Sequence, residues 1–167
     1  INGATNDGIT ARGVFNAVNA QGATISSQVN SGIAVVGTSS VTNGGALTGG
    51  NDATFGYGFQ SASTSATTFN NFGSATGSRG GVLGLSSGVM AINLFAGSNT
   101  GNIVGGSGND TLSLYNGTGT GNTGTSYVVA TNTLAAGVPT DATRVLVQNA
   151  GTLAGATVGA INLGGGT

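Results

Sequence analysis

Glycine occupies 34 of the 167 positions, and this abundance restricts the fold more than any other feature of the chain. Gly costs about 1 kcal/mol relative to Ala inside a helix, and the frequent Thr, Ser, Asn and Val are mediocre helix formers. Leu, Ile, Val and Phe still make up roughly a quarter of the residues, and the net charge is only -1. Disordered chains combine few apolar residues with high charge. The sequence therefore predicts a folded chain built from strands.

Short apolar runs separated by turn residues recur every 10 to 20 positions along the chain. The predicted strands are Thr24–Val29, Ile33–Val36, Thr54–Phe59, Gly81–Leu85, Gly88–Phe95, Thr111–Tyr115, Ser126–Ala130, Thr143–Val147 and Thr157–Leu163. This pattern is typical of an antiparallel β-sandwich or a jelly-roll. We expect a single all-β domain over residues 1–167. Met90, Ile92 and Leu94 alternate toward one face, as do Leu112 and Leu114, and these residues are the predicted core.

Local signals add two turns and one helix to this prediction. Asn43-Gly44 and Asn116-Gly117 are dipeptides typical of tight hairpin turns. Val14, Phe15 and Val18 have helical spacing, which predicts a short helix over Ala11–Gln21.

Two short segments of the sequence recur. Ala91-Ile92-Asn93-Leu94 returns at Ala160–Leu163, and Gly50-Asn51-Asp52 returns at Gly108–Asp110. The two spacings, 69 and 58 residues, disagree, whereas a solenoid is expected to keep one short period. We interpret both recurrences as echoes of a biased composition and expect no solenoid.

The chain contains no Lys, Glu, His, Cys or Trp, and its charges are three isolated Arg and four isolated Asp. General acid–base and nucleophilic catalysis need groups that this composition lacks, so we expect no enzymatic activity. Three scattered arginines do not make the basic surface that nucleic acid requires. The longest mainly apolar run, Gly88–Gly97, is too short to span a bilayer.

One nine-residue segment, Gly105-Gly106-Ser107-Gly108-Asn109-Asp110-Thr111-Leu112-Ser113, matches the pattern G-G-x-G-x-D-x-(large apolar)-x. In this segment the chain resembles the RTX family of secreted bacterial proteins, which includes calcium-dependent surface-layer proteins. The resemblance implies a calcium site at Asn109 and Asp110. Since only one complete repeat is present, the alternative is a plain turn in which Asp110 is a turn residue.

Phe55, Tyr57 and Phe59 alternate with Gly56 and Gly58, which would place three rings on one face of a strand. Such a face is either a stacking platform for sugars or bases, or a core or subunit contact where glycine lets another backbone approach. We favour the second interpretation.

A near-neutral surface without Lys lacks the charges that usually prevent strand edges from pairing with other copies. The absence of Cys is expected for an exported bacterial or archaeal protein. We also expect the chain to be either a processed form or a fragment. We predict an extracellular structural protein that assembles with itself into a surface layer, sheath or filament, with a surface polysaccharide as a further partner. Either terminal segment is a predicted strand donor: segment 157–167, with Thr157, Val158, Ile161 and Leu163 as its contact residues, or Ile1–Thr10. The alternative is a calcium-dependent carbohydrate- or ice-binding module of an adhesin.

Overall fold

The strands of this chain form a parallel β-solenoid, as shown by a computed structural model that describes residues 1–95, 98–108, 110–115, 126–131, 144–148, 157–158 and 161–162. Each of the first five coils contributes one strand to each of three sheets, which we call A, B and C. The first two coils contain β1 (Asn2–Gly3), β2 (Ile9–Ala11), β3 (Phe15–Asn19), β4 (Thr24–Ser27), β5 (Ile33–Val35) and β6 (Ser39–Asn43). The third and fourth contain β7 (Ala46–Thr48), β8 (Tyr57–Ser61), β9 (Thr67–Asn71), β10 (Ser74–Thr76), β11 (Gly80–Gly84) and β12 (Met90–Phe95).

The remaining strands continue the same three sheets. They are β13 (Asn99–Thr100), β14 (Ile103–Val104), β15 (Thr111–Tyr115), β16 (Ser126–Thr131), β17 (Arg144–Gln148), β18 (Thr157–Val158) and β19 (Ile161–Asn162). Sheet A has the order β1-β4-β7-β10-β13-β18, sheet B the order β2-β5-β8-β11-β14-β19, and sheet C the order β3-β6-β9-β12-β15-β17-β16. Among these strands only β16 and β17 pair antiparallel.

The predicted antiparallel sandwich or jelly-roll is therefore wrong, although the all-β prediction is confirmed. Short alternating strands have the same local pattern in either architecture, so the alternation did not reveal how the strands pair. The expectation of no solenoid is also wrong, because this solenoid does not keep one fixed coil length. Phe15 pairs with Ser39, Ser39 with Thr67 and Thr67 with Met90, so the coil length changes from 24 to 28 to 23 residues.

The core is a set of apolar columns that run through the coils. In sheet C, Val41, Phe69, Ile92 and Leu112 occupy matching positions, and all are fully buried. In sheet B the matching residues are Ile33, Phe59, Val82 and Ile103. The rings of Phe59 and Phe69 stack inside the third coil, with 4.5 Å between their centroids. Met90, Ile92, Leu94 and Leu112 are buried as predicted, whereas the side chain of Leu114 lies outside the described residues.

Two local predictions about the first coils are also wrong. Ala11–Gln21 contains β3 and not a helix, and Val14 and Val18 are exposed. Asn43 ends β6 in sheet C and β7 begins at Ala46 in sheet A, so Asn43-Gly44 forms a corner between sheets and not a hairpin. Asn116-Gly117 lies outside the described residues.

A ladder of buried asparagines runs along this corner. Asn19, Asn43 and Asn71 are the last residues of β3, β6 and β9. The Asn19 Nδ2 donates to Asn43 Oδ1, and the Asn43 Nδ2 donates to Asn71 Oδ1, both at 2.8 Å. Asn43 Nδ2 also donates to the carbonyl of Ser74 at 2.9 Å, and Asn71 Nδ2 donates to Thr100 Oγ1 at 2.7 Å. The ladder thus ties each coil both to the next coil and to the backbone of the turn.

Close stacking of the turns at this corner depends on glycine. A Cβ atom added to Gly73 would lie against the backbone of the preceding coil, 2.8 Å from the carbonyl carbon of Gly44. No real side chain tolerates such a distance to backbone, so glycine at this position lets the third turn lie directly against the second.

Replacing Asn43 by Ala should lower the free energy of unfolding by about 3 kcal/mol, because it leaves buried polar groups of Asn71 and Ser74 without a partner. Urea unfolding followed by circular dichroism measures the change. Asn16→Ala, on the exposed side of β3, is the matched control and should cost less than about 0.5 kcal/mol. Equal losses for the two variants would show that the ladder does not stabilise the corner.

Candidate functional site

The predicted calcium ligand Asp110 lies in the turn between β14 and β15 and is fully buried. Its Oδ1 accepts a hydrogen bond from the backbone N–H of Met90 at 2.8 Å, and its Oδ2 accepts one from the N–H of Gly106 at 2.7 Å. One bond links the fifth coil to the fourth, and the other closes the turn itself. This arrangement favours the turn interpretation, while calcium binding remains a prediction. Asn109 lies outside the described residues.

Two other carboxylates also accept hydrogen bonds from backbone groups. Asp7 Oδ1 accepts from the N–H of Ser31 in the next coil at 3.0 Å, and its Oδ2 accepts from the Thr10 hydroxyl at 2.8 Å. Asp52 Oδ1 accepts from the N–H groups of Phe55 and Thr54, both at 2.7 Å. These aspartates stabilise turns and the contacts between coils.

The hydrogen bond from the Phe55 N–H, followed by that from Thr54, lowers the pKa of Asp52 below its usual value. A carboxyl group with a lowered pKa in the folded state stabilises the fold above its unfolded pKa. That contribution is lost as the pH falls through the folded pKa. In the described segments, we find no group of three or more acidic side chains placed to hold a metal ion.

The predicted self-assembly segment forms two strands of the sixth coil. Thr157 and Val158 in β18 pair with Asn99 and Thr100, and Ile161 in β19 pairs with Ile103. Among the described strands they are the outermost of sheets A and B on the side opposite to β1 and β2. Leu163 lies outside the described residues.

The aromatic run around β8 is divided between the core and the surface. Phe59 is fully buried and Tyr57 nearly so, whereas Phe55 precedes the strand and is exposed. A Cβ at Gly58 would lie 2.8 Å from the Thr76 backbone nitrogen. The favoured interpretation, core packing beside a closely approaching backbone, is confirmed for Phe59 and Gly58.

A surface that the sequence did not reveal lies on the outer side of sheet C, at its corner with sheet A. Thr42, Asn70 and Asn93 occupy matching positions on β6, β9 and β12 and face outward. Beside them, Phe72 and Phe95 stack with 3.8 Å between their ring centroids and 11° between their planes. We call these five residues the outer strip. Its members come from three successive coils, 20 or more residues apart from one coil to the next, so only the register brings the three groups together.

Comparison of the chain with protein-family models, with curated proteins and with solved structures gives no match. Among the described residues, no helix has the length and apolar character needed to cross a bilayer.

Asp110→Ala should lower the melting temperature even in excess EGTA, because the N–H groups of Met90 and Gly106 then lack their acceptor inside the fold. A loss of about 2 kcal/mol is expected. Thermal unfolding in EGTA and in millimolar calcium provides the measurement. A loss that occurs only with calcium would contradict the turn-closing role and support a metal site.

Proposed function

We propose that this chain is an extracellular structural protein whose solenoid assembles with further copies into a filament, sheath or layer. The proposal rests on the exposed strand edges of the first coil. β1, β2 and β3 are each the outermost strand of their sheet, so in the described structure one side of each has no neighbouring strand. Outermost strands offer unpaired N–H and C=O groups to another chain.

The side chains around this end support a contact with another copy. Ile1, Val14 and Val18 are 70, 79 and 77% exposed. Charged groups near this end are Asp7, whose carboxylate already bonds to Ser31 and Thr10, and the exposed Arg12. The first coil therefore offers apolar surface and backbone donors with little charge to repel a second copy.

The opposite end of sheets A and B provides the complementary strands. Pairing of β1 and β2 in one copy with β18 and β19 in the next would continue both sheets in parallel. Contact between two different ends repeats without closing, and such contacts build filaments. In sheet C the outermost strand at that end is β16, which runs antiparallel to its neighbour. The continuous pairing we propose is thus limited to sheets A and B.

The test places a lysine at the proposed contact. Asn2→Lys puts a charge on β1, the outermost strand of sheet A, at a position that is already exposed, so it should leave folding intact and weaken association about tenfold or more. Val89→Lys, at an exposed position of the fourth coil, is the matched control. Sedimentation velocity over a concentration series, with electron microscopy of the largest species, measures association.

Assemblies of the unmodified chain should also persist in molar salt, because main-chain pairing and apolar contact depend little on ionic strength. A chain that stays monomeric at high concentration would contradict the proposal. Equal effects of the two lysine variants would contradict the assignment of the contact to the first coil.

A further inference from the structure

The outer strip combines an aromatic ring that has one open face with a row of fixed polar groups. Asn71 and Leu94 point into the core, so their neighbours Phe72 and Phe95 point outward. Phe95 is buried, whereas Phe72 keeps part of its surface exposed. Phe95 covers one face of the Phe72 ring.

The other face of Phe72 lies toward the second coil, where the matching residue is a glycine. Asn43 pairs with Asn71, so Gly44 occupies the position that corresponds to Phe72. Gly44 has no side chain to cover the ring. The partly exposed Phe72 ring thus has no side chain at the matching position of the second coil to cover this face.

Hydrogen bonds hold the polar row beside this ring in place. Asn93 Nδ2 donates to Asn70 Oδ1 at 2.8 Å, and Asn70 Nδ2 donates to Thr42 Oγ1 at 3.4 Å. A side chain that is already ordered loses little conformational entropy when a ligand binds. The row also has hydrogen-bonding atoms that these two bonds do not use. They lie along the solenoid axis, about one per coil, at the 4.8 Å spacing that is usual for neighbouring strands.

Both outward rows of sheet C lack charge from β3 to β15, and Arg144 on β17, which pairs with Thr111, adds one charged residue beyond them. The row of the strip runs Val18, Thr42, Asn70, Asn93 and Ser113, and the neighbouring row runs Asn16, Ser40, Thr68, Ala91 and Thr111. Nucleic acids and acidic polymers need cationic partners. A neutral polymer with many hydroxyl groups matches these rows, because it needs only neutral donors and acceptors.

We propose that the outer strip binds a neutral polysaccharide. One sugar ring packs its C–H face on Phe72, since the face of an aromatic ring carries negative charge density that attracts C–H groups. Hydroxyls of the same and neighbouring sugars bond to the amides of Asn70 and Asn93 and to the hydroxyl of Thr42. This binding is separate from the proposed assembly through the first coil.

The test uses cellohexaose, maltohexaose and mannohexaose as neutral probes and polygalacturonic acid as the acidic one, with isothermal titration calorimetry of the full chain. At least one neutral hexaose should bind, and Phe72→Ala should weaken its binding about tenfold or more. Phe55→Ala removes an exposed ring outside the strip and should leave binding unchanged.

A second variant keeps the Phe72 ring but covers it. Gly44→Leu places a side chain at the position that matches Phe72, and its Cβ would lie 3.3 Å from the Gln21 backbone nitrogen and 3.4 Å from the Asn19 carbonyl oxygen, so the first-coil backbone must shift by a few tenths of an ångström. Binding should again fall about tenfold or more, and thermal unfolding measures whether the variant remains folded. This variant decides the question if Phe72→Ala does not fold.

Three outcomes would overturn the proposal. They are the absence of binding by all three neutral hexaoses at millimolar concentration, binding that both strip variants leave unchanged, and preferential binding of polygalacturonic acid. Loss of self-association in the strip variants without loss of saccharide binding would also overturn it, since the strip would then be a contact between copies.

Discussion

Parallel pairing of each coil with the next is the constraint on which the rest of this structure depends. The coils differ in length, so a constant number of residues does not set the register. The corner between sheets C and A maintains it, because Asn19, Asn43 and Asn71 bond to one another and to the backbone of the turns. A shift of one residue would move a buried amide outward and an outward side chain into the core. The ladder therefore selects the register in which the apolar columns also align.

The chemistry of the surface follows from the same register. Residues far apart in sequence become neighbours in rows along the axis, at the spacing of neighbouring strands. The outer strip is one such row of amide and hydroxyl groups beside a stacked pair of aromatic rings. The described aspartates Asp7, Asp52 and Asp110 use their oxygens to accept backbone hydrogen bonds in turns. Apart from the exposed Arg12 and Arg79, what the described surface offers a partner is thus mainly neutral hydrogen bonding, apolar side chains and strand edges.

The sequence predicted 10 of the 19 described strands and part of the core, but not the other strands or the way in which the strands pair. Alternation placed Met90, Ile92 and Leu94 inside correctly, because a strand with one buried face shows that pattern in any sheet. The recurrences at spacings of 69 and 58 residues do not mark equivalent positions of the solenoid. Ala91–Leu94 lies in β12 of sheet C, whereas Ile161 lies in β19 of sheet B.

A more useful repeat was present in the sequence. Asn43-Gly44-Gly45-Ala46-Leu47-Thr48 and Asn71-Phe72-Gly73-Ser74-Ala75-Thr76 share an Asn, a Gly two residues later and a final Thr, and these Asn are the paired ladder residues. The outer strip could not be predicted without that register, since it places Phe72 between Gly44 and Phe95. Composition alone predicts none of these contacts between coils.

Distances between outward positions of sheet C test the parallel solenoid most directly. The chain has no cysteine, so pairs of introduced cysteines can carry nitroxide spin labels without a background signal. Asn16, Ser40, Thr68 and Ala91 occupy one row in four successive coils. Electron paramagnetic resonance should give backbone separations of about 10 Å for the pair at 16 and 68, and about 14 Å for the pair at 16 and 91, at 4.8 Å per coil. Separations that do not increase by one strand spacing per coil, as an antiparallel sandwich would give, would contradict the account.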